Sequence, residues 1–210
     1  MNVGFAKKKY VRAPHLGPER RRPQILDAAL KLAAEDGVHA VNMEAVAQAL
    51  SVTKPVVYAC FCSREDLLNA LLAREELRLF EGVMAALPTK VDLSNPEQLM
   101  TDGFRALFRA VDNHRDSWRL VLSAGADPDV GARLQEGRRL VALRVSKLVG
   151  GWLKLRGARD AKRRLPILVS MFMSVCEGMV HSLLDGTHDW TIDELGAYVG
   201  RRVLAAFEHA

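Results

Sequence analysis

The 210-residue sequence predicts an all-α protein of about nine helices. Two observations carry this. Apolar residues recur at spacings of three and four along most of the chain, with no convincing strand alternation. Helix-start signals also recur between those stretches: Asn42, Thr53, Ser63 with Asp66, Ser94 with Glu97, Asp127–Pro128, and Thr191 with Glu194. A small polar side chain at such a position accepts a bond from an otherwise unpaired N–H of the first turn, and an acid three residues on can return one.

Taken in order, residues 1–18 read as a flexible basic arm. They hold Gly4, Pro14, Gly17 and Pro18 among basic residues. A first helix is expected from about Arg20 to Asp36, with Ile25, Ala28, Ala29, Leu32 and Ala33 inward and Gly37 as its stop. Pro23 fits only near its first turn. A short second helix follows Asn42, over Met43–Leu50. A third follows Thr53, over Lys54–Phe61, with Pro55 in its first turn. A fourth opens at Ser63 and reaches about Met84. Residues 88–94 read as a linker. Further helices are expected from Ser94 to about Asn113, near Asp116–Ala124, from Asp127 to about Gly157, over Leu165–Leu184, and from Thr191 toward the end. The domain reading is an arm at 1–18, a small helical domain at 19–64 with a connecting helix at 63–84, and a larger helical domain at 85–210.

Charge is unevenly spread. The net charge is +5, yet residues 1–22 alone carry seven basic side chains against Glu19. A basic arm on a near-neutral body suits contact with phosphate or another anionic surface, or serves as a solvated tail. Cys60, Cys62 and Cys176 make an odd count without framework spacing, which argues for a reducing compartment. No apolar segment follows the N-terminal charges, so no signal peptide and a cytoplasmic location are expected. Leu165–Leu184 lacks Lys and Arg and is long enough to cross a bilayer, but Glu177 and His181 lie inside it; a helix buried in a protein bundle is the preferred reading.

Two short helices separated by Ser51–Thr53 have helix-turn-helix spacing, in which the second helix enters the major groove of DNA. Here a resemblance becomes specific. Val41–Leu68 is similar to the signature of the tetracycline-repressor (TetR) family. Asn42 stands at its small polar cap, Val46–Ala47 at its Ile-Ala pair, Val52–Thr53 at Val-Ser, Val57–Phe61 at Leu-Tyr-x-x-Phe, and Ser63–Leu67 at Ser-Lys-Glu-x-Leu. Residues 25–37 resemble the family's first helix. The motif covers the first third of the chain; the rest matches in helix order and length. Leu50–Ser51 stands where the family often has Ala-Gly, so the turn is expected to be tighter or shifted. Cys60 stands where histidine is common, and Pro55–Val56 where Gly-Thr is frequent.

The resemblance implies a three-helix DNA-binding domain on a helical dimerisation and ligand domain. Val46, Ala47, Val57 and Phe61 should face the small core. The candidate DNA contacts are Arg20, Arg21, Arg22, Asn42, Thr53, Lys54, Pro55, Val56, Tyr58 and Arg64. Lys54 can meet phosphate or guanine; Tyr58 is a phosphate donor or a core residue; Pro55 and Val56 offer only apolar base contacts. Few side chains there can read bases by hydrogen bonds, so the arm and DNA shape are expected to share the reading.

Two half-sites in a palindromic duplex need a homodimer. Leu168, Phe172, Val175 and Met179 on one late helix, and Val199, Val203 and Phe207 on the last, are the candidate interface; intramolecular core is the alternative. An effector pocket is expected between the middle helices, lined by Phe104, Phe108, Trp118, Leu122, Trp152, Met171, Met173, Glu177 and His181, and suited to a bulky apolar ligand of unknown identity. Glu177, His181 and Asp185, four apart, orient a polar group, form a hydrogen-bonded pair or hold a metal; no cofactor or metal is expected. Cys60 and Cys62 read as space-filling residues or a redox pair. Enzymatic activity is not expected, since no phosphate loop, HExxH or supported GxSxG occurs. A partner-binding or membrane-surface helical module is the remaining alternative.

Overall fold

The computed structural model describes residues 17–89, 95–186 and 189–208. The basic arm up to residue 16, and Ser94, lie outside them. The described residues form nine α-helices, one 3₁₀ turn and no strand. They are α1 (Pro18–Asp36), a 3₁₀ turn (Val38–Ala40), α2 (Met43–Ala49), α3 (Lys54–Tyr58), α4 (Arg64–Ala86), α5 (Pro96–Asp112), α6 (Arg115–Ala124), α7 (Pro128–Leu155), α8 (Ala161–Asp185) and α9 (Ile192–Glu208). The chain divides into two compact units between Leu71 and Leu72, inside α4.

In the first unit, α1 to α3 and the start of α4 enclose Ile25, Ala29, Val41, Val46, Val57, Phe61, Leu67 and Leu71. The inward positions expected at Val46, Ala47, Val57 and Phe61 are all buried. Helix α1 starts before residue 20, with Pro18 in its first turn, so Pro23 sits past that turn and leaves the Glu19 carbonyl without its intrahelical donor. Helix α3 is shorter than expected, ending at Tyr58 instead of Phe61. Its last turn gives way as Cys60 and Phe61 both direct N–H groups at the Val57 carbonyl, and Phe61 drops into the core. Ser63 then caps α4 by accepting from the Asp66 N–H at 3.1 Å, while the Asp66 carboxylate accepts from the Cys62 N–H at 2.8 Å.

The turn between α2 and α3 keeps a regular geometry. Ser51 N–H donates to the Gln48 carbonyl and Val52 N–H to the Ala47 carbonyl, the paired bonds that close a helix through one left-handed residue. That residue is Ser51, with φ 53°. The family's glycine position is thus filled by a residue with a Cβ, at a cost of about 1 kcal/mol. Ser51→Gly is expected to raise the melting temperature of the protein by a few degrees with the turn retained. A lower melting temperature would show that the serine side chain holds the turn in some other way.

The second unit is a helical bundle around Phe104, Phe108, Val111, Val145, Leu168, Leu183, Leu195, Val199, Val203 and Phe207. Asn95 caps α5, accepting from the Gln98 N–H at 3.0 Å. Asp127 caps α7 with Pro128 in the first helical position, as expected. Helix α8 begins four residues before Leu165, and α9 opens on the expected Thr191–Glu194 box. Helices α5 and α9 approach so closely that a Cβ on Gly200 would sit 2.7 Å from Thr101 Cα, and one on Gly196 would sit 2.8 Å from Arg105 Cα. Glu75 of α4 is wholly buried; its carboxylate meets Arg74 at 2.6 Å and Arg78 at 3.1 Å, and accepts the Ser117 hydroxyl of α6 at 2.7 Å.

Helix α8 corrects one expectation. It is long and apolar enough to cross a membrane, with a mean hydropathy of 1.7, but only 28% of its most apolar stretch is buried within the unit. It is therefore not a helix enclosed on all sides by its own bundle.

Candidate nucleic-acid interface and ligand cavity

The second helix of the motif, α3, turns one apolar residue inward and presents the rest. Val57 is buried; Thr53, Lys54, Pro55 and Tyr58 are exposed, and Val56 is half-buried. Tyr58 is 52% exposed, which removes the core-tyrosine alternative and leaves its hydroxyl free to donate outward. Thr53 makes no capping bond through its side chain. Lys54 Nζ lies 2.6 Å from Glu44 Oε2 of α2, and both side chains are about half exposed. The hydrogen bond and charge of Lys54 hold the Glu44 carboxyl below its usual range and raise Lys54 in turn. This pair braces the two helices of the motif and keeps the ammonium on their exposed side.

The remaining candidate contacts are more constrained. Asn42 is the N-cap of α2; its Oδ1 accepts from Glu44 and Ala45 N–H groups, so the side chain is used in holding the helix start. Arg64 donates from Nε to the Val41 carbonyl at 2.6 Å and from Nη2 to the Val38 carbonyl at 2.9 Å. It ties the start of α4 to the loop before α2. Arg20, Arg21 and Arg22 lie in the first turns of α1, not on an arm. Arg20 is exposed, but Arg21 is buried and bonds Gln24, and Arg22 lies 4.2 Å over the Phe61 ring while donating to the Cys60 carbonyl. Of the three, Arg20 and Arg22 are exposed and Arg21 is not. Cys60 is buried and Cys62 exposed.

The second unit holds a half-open cavity of about 790 Å³ between α4, α5, α6, α7, α8 and α9. Among the expected lining residues, Phe104, Trp118, Leu122, Trp152, Met173, Glu177 and His181 border it. Phe108 does not, being wholly buried in the core behind it, and Met171 does not, being 42% exposed on the outer side of α8. Residues that sequence reasoning did not select complete the wall: Phe80 and Leu87 from α4 and its end, and Leu134, Val141, Val145 and Val149 from α7. Their spacing along α7 was the available signal. Cys176 also borders the cavity, and burial pushes its thiol up to about 12. Glu177 accepts from Arg138 Nε at 2.6 Å, and Arg133 meets Glu76 through two bonds of 2.6 and 3.0 Å. Glu177 is thus paired with α7; among the described residues no three His, Cys, Asp or Glu side chains are placed to share a metal ion.

The residues assigned by periodicity to an intersubunit face divide differently. Leu168, Val199, Val203 and Phe207 are buried inside the unit, and Phe172, Val175 and Met179 pack half-buried against the same core. The buried part of the stripe is intramolecular, packed with α5 and α7. What α8 leaves exposed includes a stripe of Ile167, Ser170, Met171, Ser174, Glu177, Gly178 and His181, with Ile167 62% exposed. On α9 the exposed residues include Tyr198, Arg201 and Arg202.

The described residues thus form an N-terminal helix-turn-helix unit and a helical second unit with a cavity. Residues 25–71 match the family described as bacterial regulatory proteins, tetR family. The helix-turn-helix unit is thus similar to that of the tetR family. It is 31% identical over 126 residues to the HTH-type transcriptional activator FasR of Mycolicibacterium smegmatis, a match covering 59% of this chain and 56% of that protein. It is 44% identical over 61 residues to the HTH-type transcriptional repressor KstR of Rhodococcus jostii, covering 29% of each. These matches span about half, or less, of the curated relatives' length. The fold is similar to that of a TetR-like transcriptional regulator from Rhodococcus sp. RHA1, with a TM-score of 0.64, 23% identity, and coverage of 92% of this chain and 99% of that one.

Proposed function

We propose that this chain is a sequence-specific DNA-binding transcriptional regulator, acting in the cytoplasm as a homodimer, whose DNA affinity is set by an apolar small molecule in the second unit. The observation that carries the DNA reading is the exposed face of α3. It offers a hydroxyl, an ammonium and a phenol (Thr53, Lys54 and Tyr58) around apolar Pro55 and Val56, on a helix whose inner side is locked into a core. Thr53 and Tyr58 suit phosphate, Lys54 suits phosphate or guanine, and Pro55 with Val56 suits thymine methyl groups. Arg20 and the basic arm add charge on the same unit.

The exposed stripe of α8 supports the dimer. Ile167 and Met171 beside Ser170, Ser174 and Gly178 give an apolar surface with small residues, which lets a second helix approach closely. A two-fold axis there pairs the stripe with itself. Regulation then follows from linkage: a ligand that favours a dimer with wrongly placed α3 helices lowers DNA affinity, and DNA lowers ligand affinity by the same factor. Repression relieved by the ligand is the preferred sign.

Selection of bound duplexes from a random library at physiological salt tests this reading. Enrichment of a palindrome supports a sequence-specific dimer, and its half-site spacing gives the separation of the two α3 helices. Binding that enriches no sequence and disappears as salt rises reduces the protein to a non-specific polycation, and membrane or partner binding through α8 then becomes the better account.

A further inference from the structure

The cavity has a direction. Helices α7 and α8 run antiparallel in a register fixed by Arg138 against Glu177 and by Gly150 against Leu165. Helix α4 runs parallel to α7, with Glu76 beside Arg133 and Pro88 beside Arg144. The lining residues therefore sort along one axis. Arg133, Arg138, Glu177 and His181 gather at one end; Val149, Trp152, Phe172 and Phe207 gather at the other. At that far end Trp152 and Phe207 have ring centroids 6.0 Å apart, and Phe172 and Phe207 are 6.4 Å apart.

The length is set by the helices. The wall follows α7 from Arg133 to Trp152, about 28 Å at 1.5 Å per residue, and follows α4 from Ala73 to Ala86, about 20 Å. A volume of about 790 Å³ bordered along that distance suits an elongated ligand better than a round one, and the exposed Leu77 and Leu140 leave its wall open to solvent between α4 and α7. Its middle offers Val83, Leu107, Val141 and Val145, with no charged side chain among them. This apolar middle disfavours a ligand with polar groups along its length, since each would lose water without gaining a partner.

The geometry points to a ligand with one long unbranched acyl chain, its tail against the Trp152–Phe207 end and its carboxyl-derived head at the Arg133–Arg138 end. The inference rests on the proposed ligand-binding role of this unit and specifies its chemistry. An extended alkyl chain advances about 1.25 Å per carbon at ordinary bond lengths and angles, so walls of about 20 and about 28 Å match roughly 16 to 22 carbons. Arg138 is already paired with Glu177 across a half-exposed gap. An incoming carboxylate replaces one anion by another there, and a surface pair of this kind holds weakly. A thioester instead leaves its large head outside the charged mouth.

The test uses the full chain with Trp190→Phe, which removes the exposed tryptophan and leaves Trp118 and Trp152 on the cavity wall to report binding by fluorescence. Saturated fatty acids of about 8 to about 20 carbons and their coenzyme A thioesters are titrated beside a rigid tetracyclic sterol. Affinity is expected to rise at least tenfold from the shortest chain to an optimum near ~16 carbons, and to exceed that of the sterol. The series that binds more tightly, acid or thioester, identifies the head. Val149→Phe, at the aromatic end, is expected to move the optimum about four carbons shorter while short chains still bind. A flat length dependence, or an optimum unmoved by Val149→Phe in a folded variant, overturns the inference. Tighter binding of the sterol overturns it too, while leaving the regulatory reading intact. Binding of neither shape removes the inference together with the apolar-effector reading, and leaves the DNA-binding reading to stand on the duplex selection.

Discussion

Glu75→Ala is expected to destabilise the second unit by about 3 kcal/mol, among the largest effects of any single substitution in the chain. The carboxylate is wholly buried, meets Arg74 and Arg78, and accepts the Ser117 hydroxyl. Removing it leaves the part-buried Arg74 beside a cavity and deprives a buried hydroxyl of its acceptor, two losses that act in the same direction. Because Ser117 lies on α6, the carboxylate also sets the distance between α6 and α4, the helix that runs on from the DNA-binding unit. Denaturant unfolding of the variant checks the magnitude. Ser117→Ala, which removes only the hydroxyl bond, is expected to cost about 1 kcal/mol in the same experiment. Equal stability of Glu75→Ala and the wild type would show that the buried charges gain nothing from this cluster.

Gly200→Leu is expected to be at least as damaging. A Cβ there meets Thr101 Cα at 2.7 Å and the Met100 carbonyl carbon at 3.0 Å, both backbone atoms that no rotamer change can move aside. Helices α5 and α9 must separate, which opens the packing of Phe104 and Phe108 against Val199 and Val203. Overpacking of a core typically costs about 1–3 kcal/mol, and a clash with backbone belongs at or above the upper end. For a protein of this size that lowers the melting temperature by roughly 5–10 °C. Gly178→Ala, where nothing lies within 4 Å, is the matched control and is expected to leave the monomer fold unchanged. A Gly200→Leu variant that melts with the wild type would mean that α9 is held far less tightly to α5 than its glycines imply.

The sequence carried the helix order well, because cap chemistry and apolar spacing are local. Asn42, Ser63 and Asp127 each cap the helix they were expected to cap. The inward set Val46, Ala47, Val57 and Phe61 was legible for the same reason. What failed needed information from elsewhere in the chain. Arg22 and Arg64 look like free basic contacts until the Cys60, Val41 and Val38 carbonyls that they reach are known. Leu168, Val199, Val203 and Phe207 form an apolar stripe of the right period, but periodicity cannot say whether the same chain or a second copy covers it. Phe108 and Met171 share the composition of cavity residues and differ only in the face they occupy. Glu75 gave no signal at all, since a buried acid in a helix of many charges reads like its exposed neighbours.

The most direct test of the account is the affinity of the wild type and of Lys54→Ala with Tyr58→Phe for the duplex recovered by selection, measured by fluorescence anisotropy at two salt concentrations. Both side chains are exposed on α3 and neither is in the core, so the double variant should stay folded, losing only the half-exposed Lys54–Glu44 pair, which contributes little to stability. Its affinity should fall by more than about tenfold, with a shallower salt slope from the lost phosphate contact. Unchanged affinity and slope in the folded variant would contradict the account, because α3 would then not be the element that meets DNA.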